Sequence, residues 1–118
     1  MRAIAAIGFA ATLLAGCAHR REAEAEPVIP FECGGKELEI VYHNGGYFPR
    51  ATADIRYDGH DYHLSAVPPT YGLRYVSGND ANAPITIWSV RGEEAWLTEL
   101  DPGQSEEREL AHCERVRS

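Results

Sequence analysis

The 118-residue sequence carries none of the short signatures that mark common catalytic and nucleotide sites. There is no G-x-S-x-G elbow, no phosphate-binding P-loop and no G-x-G-x-x-G fingerprint, which removes the nucleophile-elbow hydrolases and the common nucleotide-binding folds. Basic residues are in deficit, 11 Lys+Arg against 18 Asp+Glu. That balance argues against nucleic acid and against electrostatic docking on anionic lipid. No helix-period stretch is long enough to trust, and there is no internal repeat. Cysteine is scarce: Cys17, Cys33 and Cys113 are the only three.

What is present begins with a leader. Arg2 precedes an apolar run of Ala, Ile, Phe and Leu that is too short to span a bilayer, so residues 1–16 read as a targeting segment. The run ends in Leu14-Ala15-Gly16-Cys17, which resembles a bacterial lipobox; cleavage before Cys17 then follows diacylation of its thiol. Each buried acyl methylene contributes about 0.8 kcal/mol, so two or more chains anchor stably. Ala18 rather than aspartate after that cysteine is similar to lipoproteins sorted to the outer membrane. Residues 17–30 hold alternating Glu and Ala with Pro27 and Pro30, little apolar surface to bury, and read as a tether with a solvated charge run. A secretory signal with an incidental cysteine is the alternative. Without Arg2 the mature chain keeps 10 basic against 18 acidic side chains, a formal net charge of −8. This suits a basic protein partner, and it equally suits mere solubility.

Residues 31–118 suffice for one small domain. With Cys17 taken by lipid, Cys33 and Cys113 remain near its two ends in an oxidising compartment, and one disulfide between the first and last strands follows. Closing a loop of about 80 residues is worth roughly 4 to 5 kcal/mol in the chain-entropy picture. No thiol is then left to act as a nucleophile.

Between the cysteines nearly everything alternates. Leu38, Ile40 and Tyr42 share a face, as do Ala51, Ala53, Ile55 and Tyr57; Asp58-Gly59 is a two-residue hairpin signal, and Tyr62, Leu64 and Ala66 point inward on the return strand. Leu73 to Ser77 forms a short strand after Tyr71-Gly72. In the next strand Ile85, Ile87 and Ser89 lie on one face and Thr86, Trp88 and Val90 on the other. Arg91-Gly92-Glu93 turns into Glu94–Leu100, Ser105 to Arg108 reads as a solvated loop, and Glu109 to Val116 closes the domain. Seven or eight short antiparallel strands predict an all-β domain, a small barrel or a closed sandwich. A barrel so small fills its interior with side chains and leaves little room for a ligand. Trp88 and Trp96 read as barrel-wall residues. The histidines His19, His43, His60, His63 and His112 show no metal-ligand spacing, and the pairs Glu93-Glu94 and Glu106-Glu107 are solvated carboxylates at turns. The reading therefore holds no catalytic residue, no metal and no cofactor.

The stretch Tyr71-Gly72-Leu73-Arg74-Tyr75, then Trp88-Ser89-Val90-Arg91-Gly92-Glu93-Glu94-Ala95, inside a two-cysteine frame, resembles the MliC/PliC family of c-type lysozyme inhibitors. The family pattern runs roughly S-G-x-x-Y, then W-x-x-K-G-x-E-A. Gly72 and Tyr75 match the first motif, and Gly92, Glu94 and Ala95 the second. Tyr71 stands where the family has serine and Arg91 where it has lysine, and the gap between the motifs is longer. The resemblance spans Phe31 to Cys113. It implies an eight-stranded antiparallel barrel that inhibits c-type lysozyme by occluding its cleft.

The resemblance also implies which residues touch the enzyme. Carried over by position, the contact residues are Thr70, Tyr71, Gly72, Tyr75, Arg91 and Gly92, with Arg91 as the cation and Thr70 as the small hydroxyl nearest the motif. Arginine offers a carboxylate a bidentate fork and can replace lysine there. Arg74 is read as lying outside the contact. The expected setting is the cell envelope, lipid-anchored at the outer membrane and facing the periplasm. The alternative is an envelope lipoprotein of the same fold that binds another partner or serves a structural role.

Overall fold

A computed structural model describes residues 26–69, 72–78 and 82–117. Its strands are β1 (Val28–Cys33), β2 (Lys36–His43), β3 (Thr52–Tyr57), β4 (His60–Ala66), β5 (Leu73–Val76), β6 (Ile85–Arg91), β7 (Glu94–Leu100) and β8 (Arg108–Arg115). Each pairs antiparallel with its sequence neighbour, and β8 returns to β1, so the sheet is a closed barrel without a free edge. Closure decides between the two architectures that alternation leaves open. Hairpin register follows from the turns: Tyr57 faces His60 across Asp58-Gly59, and Arg91 faces Glu94 across Gly92-Glu93.

The inward faces are those the alternation gives. Leu38, Ile40, Ala53, Leu64, Tyr75, Trp88, Ala95 and Leu97 are all fully buried. Phe31 meets Trp88 edge-on at 5.1 Å, and the indole Nε1 donates to the Tyr42 hydroxyl at 3.0 Å. Buried aromatic polar atoms thus find partners inside the barrel. Cys33 and Cys113 form a disulfide between β1 and β8, both cysteines facing the core.

Three details differ from the sequence reading. Strand β1 begins at Val28, inside the expected tether, and Pro30 stands opposite Glu39. Pro30 lies near the start of β1, where its carbonyl still accepts from the Val116 N–H at 3.2 Å although proline has no N–H to return. The carboxylate of Glu26, expected to be solvated, bonds the His43 ring at 2.6 Å and accepts from the Asn44 backbone N–H at 3.2 Å. Third, the β7–β8 connection is not a simple solvated loop. Glu107 Oε1 accepts from Thr98 Oγ1 at 2.7 Å. Beside Thr98, Ile87 is buried although it lies on the outer face of β6.

Candidate functional site

The two sequence motifs meet at one place. Gly72 leads into β5 with φ +112°, and Leu73 pairs with Val90 near the end of β6. A side chain at position 72 would put its Cβ 2.1 Å from the Val90 carbonyl oxygen and 3.4 Å from the Arg91 Cα. Only glycine allows this approach, so the first motif's glycine lies against the backbone that carries the second motif's cation. Arg91 ends β6, and Gly92, with φ +64°, takes the first central position of the two-residue turn that follows. Glycine there fits the type II′ turn, whose twist matches that of the flanking strands.

A groove runs along the outer wall beside this junction, lined by Gly72, Leu73, Arg74, Ser89, Val90, Arg91 and Trp96. Cross-strand register assembles it: Arg74 faces Ser89, and Ser89 faces Trp96 on its other side. Arg74 donates to Ser89 Oγ at 3.1 Å and to Glu107 Oε2 at 2.8 Å. Burial pushes the Glu107 carboxyl pKa up, but the hydrogen bonds from Arg74 and Thr98 outweigh it and hold the group below the ordinary Glu value. The Trp96 ring stacks on His112 with centroids 5.0 Å apart and planes 8° apart, and His112 Nε2 lies 3.0 Å from Glu94 Oε2. The groove is thus a rigid surface with two guanidinium side chains, a small hydroxyl and an indole along one wall.

Of the residues singled out in the sequence, Gly72 and Arg91 come together in this groove, with Gly92 in the adjoining turn. Tyr75 does not reach the surface. It is fully buried and its hydroxyl donates to the Gly46 carbonyl at 2.5 Å, with burial, then Tyr42 and Tyr47, raising its pKa to about 12. Thr70, Tyr71 and Cys17 lie outside the described residues. Arg74 also lines this groove. Trp96 is one side of the groove and not only a wall residue, whereas Trp88 lies wholly in the core. Ser89 and Trp96 escaped the motif reading because neither is a motif position. Counting back from the Gly92-Glu93 turn would have found the pair, since Arg91↔Glu94 fixes Ser89↔Trp96 two residues on.

Elsewhere on the wall His43 touches Glu26 and Asp54, and His63 touches Asp54 at 2.5 Å. Among the described residues no group of three or more His, Cys, Asp or Glu is placed to hold a metal ion.

Neither the curated proteins nor the solved structures give a match to this chain. Residues 31–105 match the family described as membrane-bound lysozyme-inhibitor of c-type lysozyme, MliC. That span is well over half of the chain, runs from the buried part of β1 through the whole of β7, and includes both motifs and every residue lining the groove. The chain belongs to the MliC family of lysozyme inhibitors.

Proposed function

We propose that this protein inhibits c-type lysozyme by laying the Gly72–Arg91 groove face over the enzyme's carboxylate-bearing cleft. Family membership implies inhibition of c-type lysozyme, and the family is one of inhibitors rather than enzymes. The observation that carries the mechanism is the convergence of the two motifs, with Gly72 against the Val90 and Arg91 backbone.

Lysozyme cleaves sugar polymers with two carboxyl groups in an open cleft, one kept protonated and one ionised. An inhibitor needs no reactive group to stop such an enzyme. It needs a rigid face that fills the cleft and satisfies the charge left buried there. Arg91 supplies the cation, and its guanidinium can take a carboxylate in two parallel hydrogen bonds. Ser89, held by Arg74, supplies a small hydroxyl within the groove. Gly72 and Gly92 let the two strand ends sit close enough for these groups to share one face. The acidic remainder of the chain steers it toward a basic enzyme, an effect that salt weakens.

The family description, membrane-bound, implies envelope association. The anchor proposed here is diacylglycerol on Cys17, in the outer membrane and facing the periplasm, and it rests on the Leu14-Ala15-Gly16-Cys17 sequence. Cys17→Ser is then expected to leave the membrane fraction and lose any fatty-acid label; retention with the label would refute the anchor.

The test of function uses purified residues 18–118 in a cell-wall lysis assay with a panel of c-type lysozymes. Slowed lysis, weakened by Arg91→Ala, is the expected result. A protein that leaves every enzyme of the panel at full rate is instead an envelope protein of the same fold with another partner.

A further inference from the structure

The chain carries two large, exposed aromatic side chains next to each other, Tyr47 at 68% and Phe48 at 47% exposure. They sit in the β2–β3 connection, and that connection is tied down. Gly46 is buried and its carbonyl accepts from the Tyr75 hydroxyl, Ala51 N–H donates to the Tyr47 carbonyl at 3.2 Å, and the Asn44 side chain donates to the Arg50 carbonyl at 3.5 Å. Scattered exposed apolar residues need no explanation, but an adjacent pair on a braced loop beside a candidate site does.

The position of the pair gives it a meaning. Gly46, Tyr47, Phe48, Pro69, Leu73 and Arg74 are among the residues lining a shallow apolar depression. Leu73 and Arg74 also line the inhibitory groove, so the two hollows share the β5 ridge. Among the described residues no Asp or Glu lines either hollow, on a chain with 18 acidic residues, and the one carboxylate at their shared ridge, Glu107, is bonded to Arg74. Another depression, on the far strands, includes Glu39, Asp54 and Asp61. A face poor in carboxylates, bearing Arg91 and aromatic rings, is what a cleft with its own carboxylates can accept, because like charges across a desolvated contact are costly.

We propose that Tyr47 and Phe48 form a second half of the lysozyme-binding face, seated on the apolar lip of the cleft whose carboxylates meet the groove. Tyr and Phe bury large rigid surfaces at low entropic cost, the character of interface anchors. Tyr75 is the positioning residue: its buried hydroxyl holds Gly46 and thereby presents the pair. This assigns the motif tyrosine a task it cannot perform by contact, since it has no exposed surface. The inference rests on the groove reading above.

The experiment measures inhibition constants and dissociation rates of residues 18–118 against the most strongly inhibited lysozyme of the panel. Tyr47→Ala/Phe48→Ala is expected to bind roughly tenfold or more weakly through faster dissociation, with an unchanged melting temperature because both side chains are exposed. Tyr75→Phe is expected to weaken binding in the parent and to add nothing in the Tyr47→Ala/Phe48→Ala background. If the double variant inhibits like the parent while Arg91→Ala does not, this inference is overturned and the groove reading stands. If Tyr75→Phe weakens both backgrounds equally, its positioning role is overturned. A parent chain that inhibits no lysozyme removes the groove reading and this one with it.

Discussion

At the scale of single residues, Gly72 and Arg91 separate two kinds of importance. Position 72 has φ +112° and no room beyond its hydrogen, the obstacle being backbone rather than a side chain that could move aside. Gly72→Ala must therefore displace β5 from the end of β6, and is expected to cost about 2 kcal/mol or more of stability together with much of the inhibition. Arg91 is exposed at its strand end, where surface contacts are worth little, so Arg91→Ala should lower the melting temperature only slightly. Its loss is expected to weaken inhibition by roughly 2 to 5 kcal/mol if the carboxylate it meets is desolvated, mostly through dissociation. Arg91→Lys should restore much of that, since the family's own pattern has lysine there. Parallel melts and lysis assays on the three variants check this. Full inhibition by Arg91→Ala would move the contact away from the β6–β7 turn. Arg74 is a poor control for that experiment because it lines the same groove; Arg56, paired with Asp61 on the far strands, is a better one.

At the scale of elements, the strands were legible and their neighbours were not. Leu38, Ile40, Ile55 and Leu64 declare their faces by alternation, because a period of two sends every other side chain into the core. The Asp58-Gly59 and Gly92-Glu93 turns declare register, because a two-residue loop leaves one pairing. What alternation cannot give is contact between strands distant in sequence. The Tyr75 hydroxyl on Gly46 and the Arg74 guanidinium on Glu107 join residues 29 and 33 positions apart, and no local pattern signals either. Pro30 reads as a break in the sequence, yet a proline near a strand's start keeps its carbonyl for the ladder, and Val116 N–H takes it.

The outer face of β2, β3 and β4 gives the clearest case of such long-range assembly. Both ring nitrogens of His43 meet carboxylates, Glu26 at 2.6 Å and Asp54 at 2.8 Å. Hydrogen bonds from Glu26 and then Asp54 raise the imidazole pKa above its usual 6.5, and those from His63 and then His43 lower the Asp54 pKa below its usual 3.8. The His43 contribution is complete below pH 6.5 and fades as pH rises through the raised value; that of Asp54 is complete above 3.8 and fades as pH falls through the lowered one. The clasp on the segment leading into β1 is thus fullest between those limits. An NMR titration should give His43 a midpoint above 6.5, and Asp54→Asn should bring it down. An unchanged midpoint in that variant would break the assignment.

At the scale of the whole molecule, the seam between β1 and β8 links stability to the site. Only Phe31↔Arg115 and Glu32↔Glu114 pair across it in register, and the Cys33–Cys113 disulfide secures it. Strand β8 also braces the groove and the turn beside it. Arg115 N–H donates to the Glu93 carbonyl at 2.9 Å, inside the turn that follows Arg91. His112 stacks on Trp96 and bonds Glu94. Reduction removes a cross-link over a sequence separation of 80, which the chain-entropy picture values at roughly 4 to 5 kcal/mol, much of the net stability of a domain this small. A reduced protein is therefore expected to melt many degrees lower. At temperatures where it remains folded, the β1–β8 seam should open first, because only two register pairs then hold it while β8 keeps its longer pairing with β7. Opening that seam loosens the Arg115 end of β8, whose N–H holds the Glu93 carbonyl, so inhibition should fall before the barrel melts. Lysis assays and thermal melts on oxidised protein and on Cys33→Ser/Cys113→Ser, run across temperature, test this order. Inhibition that persists unchanged up to the melting point of the reduced form would show that the β6–β7 turn keeps its shape without the β1–β8 seam.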